Sequence, residues 1–180
     1  DNVYVYVATK SGYISSSGVE IRSDSIAEEE GKLAMSLLGA TLIQGKFKTL
    51  EIEFVDQLNV DILKVIEENS IDITYIHWHG DIHHDHIAVS RASLHSSRHV
   101  KKILMYRSNW YHSNIDFRGN FYVDISNFMD IKKRIIMCHK SEMERTNKKW
   151  VEFWENEAEN CGLKIGVKYA EVFELVKWLL

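Results

Sequence analysis

Proline is absent from all 180 residues of this chain. Turns must therefore be built from Gly, Asn, Asp and Ser, and no X-Pro isomerisation step can slow folding. Cysteine is nearly absent too: Cys138 and Cys161 are too few for a disulfide framework, and both fall in helical patterns where a small buried thiol is the ordinary reading. No apolar run approaches the roughly 20 residues that a membrane-spanning helix needs. No signal-peptide pattern opens the chain, so a cytoplasmic location is the default expectation. There is no basic excess either. Lys and Arg number 22 against 26 Asp and Glu, a net charge of −4 that leaves no electrostatic footprint for nucleic acid. The small clusters Lys101-Lys102 and Lys132-Lys133-Arg134 read as solvated faces. With no internal repeat, low-complexity tract or linker, a length of 180 residues predicts one domain spanning 1–180.

The chain does have apolar material for a core: 45% hydrophobic residues, with five Trp and seven Phe. Val3-Tyr4-Val5-Tyr6-Val7-Ala8 is a β-branched and aromatic run of strand length. Ser15 to Asp24 reads as a Ser-rich loop, and Ser25 with Glu28 offers a capping box for a helix that Gly39 stops. Short strands are predicted at 40–43 and 50–54, then a helix through Val60, Ile62, Leu63 and Ile66 to about Asn69. Strands follow at 71–76, 103–106 and 121–123, with a helix from about Asp85 to Ser97 between the first two. Ser126 is placed to cap a helix running to about His139. A last helix carries Trp150, Phe153, Trp154 and Cys161 as a core-facing stripe, with Gly162 after it and a strand near 169–176. Strands alternating with helices predict an α/β fold with a largely parallel, Rossmann-like sheet flanked by helices.

Five of the nine histidines lie within ten residues: His77, His79, His83, His84 and His86, with Asp81 and Asp85 among them. The cluster follows a strand and opens a helix, and the carboxyl ends of strands are where open α/β sheets place ligands. Imidazole and carboxylate together suit zinc and other borderline divalent ions. His83 and His86, three apart, share a helix face, and Asp85 is placed to fix the orientation of a neighbouring imidazole. A catalytic zinc needs about three protein ligands and an open position. The loop alone offers one or two, so a solvated His-rich loop without metal is the competing reading.

The run from Ile73 to Val89, with Asp81, His83-His84-Asp85-His86 and Ala88, followed by Ala92 on the same helix, resembles the second motif of the LmbE/PIG-L family of zinc-dependent deacetylases. The resemblance extends to Glu30, Ala34 and Leu38-Gly39, to Tyr122-Val123-Asp124-Ile125-Ser126 with Lys132 or Lys133, to His139-Lys140-Ser141, and to Gly162, Gly166 and Tyr169-Ala170-Glu171-Val172-Phe173. It implies an LmbE-like fold and hydrolysis of an N-acyl group from an N-acetylglucosamine-type sugar or glycoconjugate. It also implies Zn2+ as cofactor, with His86 as a zinc ligand, His83 as the catalytic imidazole and Asp85 as their support. Asp81 and Trp78 would border the sugar.

The chain departs from the family pattern in three places. No His-Pro-Asp-Asp-Glu motif is present, and in the family that motif supplies two zinc ligands and the general base. The expectation is a domain lacking its first strand and helix. The arginine usual before the helix glutamate is Ala27, leaving Arg22 as the nearest substitute for substrate binding, and the family's glutamate after Tyr106 is Arg107. Two further readings remain: a non-catalytic sugar- or partner-binding relative, and a metal phosphohydrolase built on His84-Asp85. Self-association into a homo-oligomer stays open.

Overall fold

The computed structural model describes residues 2–180 as two compact units through which the chain passes in turn. The first takes residues up to Thr49 together with Asp124–Glu171, and the second takes Leu50–Val123 with Val172–Leu180.

In the first unit, β1 (Tyr4–Thr9) pairs in parallel with β4 (Thr41–Phe47). Parallel neighbours need a crossover, and helix α1 (Asp24–Leu38) supplies it, packing on β4. Gly45 makes the close pairing feasible, since a Cβ there would sit 2.2 Å from the Ala8 carbonyl oxygen. The cap of α1 falls earlier than the Ser25–Glu28 pattern predicts. Ser23 takes extended backbone and its side chain accepts from the Ile26 amide, satisfying one orphan donor of the first turn. The stop is as predicted, with Gly39 left-handed at φ 71°.

The Ser-rich segment is not loop throughout. A small antiparallel hairpin, β2 (Tyr13–Ile14) with β3 (Glu20–Arg22), closes through a turn in which Ser15 bonds the Val19 and Gly18 amides. Backbone pairing overrode a composition that read as irregular.

Between Asp124 and Glu171 the sequence predicts two helices and the structure has three: α4 (Met129–Ile136), α5 (Lys140–Arg145) and α6 (Lys149–Ile165). Ser126 caps none of them. Its hydroxyl donates to Asp124 and its oxygen accepts from the Tyr169 amide, so it ties the chain to the last strand instead. Gly162 lies inside α6, not beyond it, and Gly166 at φ 77° ends the helix. Ile125, Met129 and Ala158 form a small core with Tyr169 against it.

In the second unit, α2 (Asp56–Glu68), β5 (Ile73–His77), α3 (His84–Ser96) and β6 (Lys102–Tyr106) follow in order. β5 and β6 are parallel, and α3 packs on β5 and α2. The buried face of α3 is built from Ala88, Ser90, Ala92 and Ser93, small residues that let neighbours approach closely. With β7 (Phe121–Asp124) and β8 (Ala170–Trp178) the sheet order is β5-β6-β8-β7, and β8 runs antiparallel to β6. The sheets are thus parallel at β1/β4 and β5/β6 and antiparallel at β6/β8. The core under β5 and β6 is Ile76, Trp78, Ile103 and Met105, with Phe117 packed on it.

The predicted strand at 50–54 does not form. Its donors go elsewhere: the Leu50 amide donates to Asp85 Oδ2 at 2.8 Å and the Ile52 amide to Asp85 Oδ1 at 3.4 Å. Leu50 is left-handed at φ 66°, and Ile52 is fully buried. A buried carboxylate has taken the place of a ladder partner.

Candidate functional site

At the carboxyl end of β5 the chain passes from His77 through Trp78–Ile82 into α3. The Trp78 amide donates to the Tyr106 carbonyl at 2.9 Å, extending the β5/β6 pairing past the strand end. Register places Tyr106 directly opposite His77. Residues after β6 are thereby brought to the histidine loop.

Asp81 organises this loop. Its Oδ1 accepts from the His83 amide at 2.7 Å and from Asn109 Nδ2 at 3.3 Å, and its Oδ2 lies 3.0 Å from His86 Nδ1. Burial works against ionising Asp81. The hydrogen bonds from His86, from the His83 amide and from Asn109, with the attraction of His86, outweigh it and hold the carboxyl at about 2.

Three imidazoles stack beside it. The His77 and His86 ring centres are 4.2 Å apart at 11°, and those of His83 and His86 are 4.3 Å apart at 22°. Ser108 Oγ stands 3.1 Å from His77 Nδ1 and 3.2 Å from His86 Nδ1, and the Tyr106 hydroxyl is 3.2 Å from His77 Nε2. Enclosure lowers His77 to about 3, reinforced by repulsion from His86. Burial, then His86, also lowers His83, while burial raises the Tyr106 hydroxyl.

The ionised Asp81 fixes the tautomers. A carboxylate only accepts, so the His86 Nδ1 that faces it carries a proton, and in the neutral imidazole the lone pair is on Nε2. Ser108 can then donate to His77 Nδ1, leaving the His77 proton on Nε2 to face Tyr106. Both nitrogens of His77 are engaged within this network.

The arrangement meets part of a zinc requirement. A metal-bound imidazole characteristically gives its other nitrogen to a carboxylate, and His86 with Asp81 has that form. A complete site is not met: among the described residues no group of three His, Cys, Asp or Glu side chains is placed to hold an ion. One candidate ligand with its orienting partner is present.

The residues singled out in the sequence fall in different places. His83, His86 and Asp81 come together as described. His83 Nδ1 is buried with no hydrogen-bond partner. Asp85 was expected to orient an imidazole, yet its carboxylate oxygens take the Leu50 and Ile52 amides, because those donors lie unpaired in the segment before α2. The carboxylate bonded to an imidazole belongs to Asp81. Trp78, expected at the sugar, is 3% exposed in the core, where its ring meets Phe117 edge-on at 5.5 Å. Arg22 lies in the other unit, where Nε and Nη2 donate to the Ser11 carbonyl and Nη1 pairs with Glu142 at 3.3 Å. His77, Tyr106, Ser108 and Asn109 went unassigned in the sequence. Position was the available signal for the last two, which stand just past a strand neighbouring β5, at the end of the sheet where ligands gather.

The same fold occurs in solved structures of low sequence identity. A conserved protein, TT1542, from Thermus thermophilus superposes with a TM-score of 0.82 at 18% identity, over 99% of this chain and 83% of the other. The N,N'-diacetylchitobiose deacetylase of Pyrococcus horikoshii matches with a TM-score of 0.75 at 20% identity, over 96% of this chain and 71% of that enzyme. GalB from Pseudomonas putida, a 4-carboxy-2-hydroxymuconate hydratase, matches with a TM-score of 0.79 at 13% identity, over 99% and 85% of the two chains. The LmbE-like α/β fold implied by the sequence is therefore the fold present, and it serves more than one chemistry among these proteins. No protein-family model matches the sequence, and no curated protein matches it.

Proposed function

We propose that this protein is a deacetylase-type hydrolase that removes an N-acetyl, or more generally N-acyl, group from an N-acetylglucosamine-type sugar or glycoconjugate. The supporting observation is the Asp81–His86 pair, in which a carboxylate takes the Nδ1 side of an imidazole beside the end of β5, so that Nε2 is the nitrogen left to serve as a ligand. The reaction adds water to the amide carbon, breaks the C–N bond, and releases a carboxylate and a free amino sugar. In this reading His86 is the zinc ligand and His83 the imidazole facing the developing oxyanion or leaving amine. Asp85 supports both by fixing the segment behind the start of α3. Asp81 acts on His86, and Trp78 and Arg22 serve the substrate only through the structure they hold.

A second reading is a non-catalytic sugar- or partner-binding protein. It is favoured by the absence, among the described residues, of a three-ligand set.

The two readings separate in one experiment. The protein is incubated with N,N'-diacetylchitobiose while free amine is followed, and bound zinc is counted by mass spectrometry. The hydrolase reading expects stoichiometric zinc that H86A loses. It expects H83A to keep zinc and lose about 10²- to 10³-fold in turnover, the usual loss for one oxyanion donor. Unchanged turnover in either variant, or no zinc and no amine release from the wild type, would overturn it.

A further inference from the structure

The segment after β6 reaches the histidine loop with two consecutive side chains. Asn109 Nδ2 donates to Asp81 Oδ1 at 3.3 Å, and Ser108 Oγ stands 3.2 Å from His86 Nδ1. One residue takes the carboxylate of the Asp81–His86 pair, and its neighbour takes the imidazole. Both are held from either side. The Trp78 amide donates to the Tyr106 carbonyl at 2.9 Å, two residues before Ser108. Asn109 Oδ1 accepts from the Tyr111 amide at 3.1 Å, which turns its Nδ2 toward Asp81, and Ser113 donates to the Gly80 carbonyl.

Ser108 Oγ also lies 3.1 Å from His77 Nδ1, so one hydroxyl stands between two imidazole nitrogens. A hydroxyl has one proton to give and lone pairs with which to accept. The His86 Nδ1 carries a proton toward Asp81 and cannot accept, so Ser108 accepts there and donates to His77. The Nδ1 lone pair of His77 is thereby used, and its Nε2 proton is left for the Tyr106 hydroxyl at 3.2 Å. Every bond in the row from Asp81 through His86, Ser108 and His77 to Tyr106 then has one direction, set by the carboxylate. A neutral imidazole has a single lone pair on its ring nitrogens. With that pair taken by Ser108, His77 has none to give an ion, although its ring centre is 4.2 Å from that of His86.

We infer that Ser108 is a positioning residue, whose hydroxyl commits His77 to the Nε2–H tautomer, excludes it as a metal ligand and makes it a fixed stacking wall for His86. The role needs a group that accepts from one ring and donates to the next. A hydroxyl does both, and a methyl group does neither. The inference rests on the hydrolase reading for the use made of His86, and deepens it by separating a ligand from its support within one stack of imidazoles.

The test reads imidazole tautomers in the metal-free protein by long-range 1H–15N spectra, in the wild type, S108A and S108T, with circular dichroism to check that each is folded. The wild type should show His77 protonated on Nε2 and His86 on Nδ1. In S108A the Nδ1–H form of His77 should gain population, and S108T, which restores the hydroxyl, should return the wild-type pattern. Zinc affinity, followed by competition with a chromophoric chelator, should fall about tenfold in S108A, the low end for loss of an outer partner, and recover in S108T. A wild-type His77 protonated on Nδ1, or a His77 tautomer that S108A leaves unchanged, overturns the role. Where the wild type binds zinc, equal affinity in S108A, or 15N shifts that put His77 on the metal, overturns it as well. The hydrolase reading is scored separately by amine release. A tautomer that follows the Ser108 hydroxyl, without zinc or release in the wild type, keeps the arrangement and removes the enzyme; zinc-dependent release with the His77 tautomer unmoved in S108A does the reverse.

Discussion

Asp81 Oδ2 lies 3.0 Å from His86 Nδ1, while the nearer neighbour in sequence, Asp85, gives both carboxylate oxygens to backbone amides. The two aspartates of one short motif therefore do different work. One sets an imidazole, the other a segment of chain.

If Asp81 fixes the His86 tautomer, D81N should lower zinc affinity by about 10–100-fold, the usual effect of losing such an outer partner. Competition with a chromophoric chelator measures it. Long-range 1H–15N spectra of the imidazoles supply a reading free of metal, and the Nδ1–H form of His86 should weaken. An unchanged tautomer would remove Asp81 from this role.

Acid should destabilise the metal-free protein through His77. Its folded value of about 3 lies below the ordinary 6.5, so as pH falls the unfolded chain takes up the proton first. The stability it contributes is complete above about pH 6.5 and drains away as pH falls toward 3. Urea midpoints taken from pH 7 to pH 4 should decline, and H77Q should flatten the slope. A slope unaltered in H77Q would place the acid sensitivity elsewhere.

Removing the Asp85 carboxylate should release the segment before α2. D85A leaves the Leu50 and Ile52 amides without their acceptor, a cost of about 1–3 kcal/mol for a buried group left unpaired. The variant should melt earlier, and hydrogen exchange should speed up at those two amides before it changes in β6. Equal protection at Leu50 and Ile52 in both proteins would contradict the hydrogen bonds.

Gly162 should not tolerate a methyl group despite lying within a helix, where alanine is ordinarily better. A Cβ there would come 2.6 Å from the Val167 carbonyl oxygen and 2.7 Å from that of Lys168. Overpacking against backbone costs about 1–3 kcal/mol, more than the roughly 1 kcal/mol of helix propensity gained. G162A should therefore lower the melting temperature. A raised value would mean that the 167–168 segment does not approach α6 this closely.

Local composition was enough for elements whose signal is local. The run Val3 to Ala8 reads as the strand it becomes, and Gly39 stops α1 because the αL position there suits a residue without Cβ. Segment 50–54 reads as a strand and is none, because Asp85, more than thirty residues on, captures its amides. Gly162 reads as a stop, yet the helix continues past it, because glycine there answers a close backbone approach that only the returning chain creates.

The sequence by itself determined that imidazoles and carboxylates gather after β5, since density and position along the chain are linear properties. Which carboxylate serves which imidazole was decided only by the tertiary structure. The parallel register that sets Tyr106 opposite His77 also carries Ser108 and Asn109 to the loop, where they bond His77, His86 and Asp81. No spacing within Asp81–His86 encodes that, because the selecting groups arrive from another strand through backbone pairing.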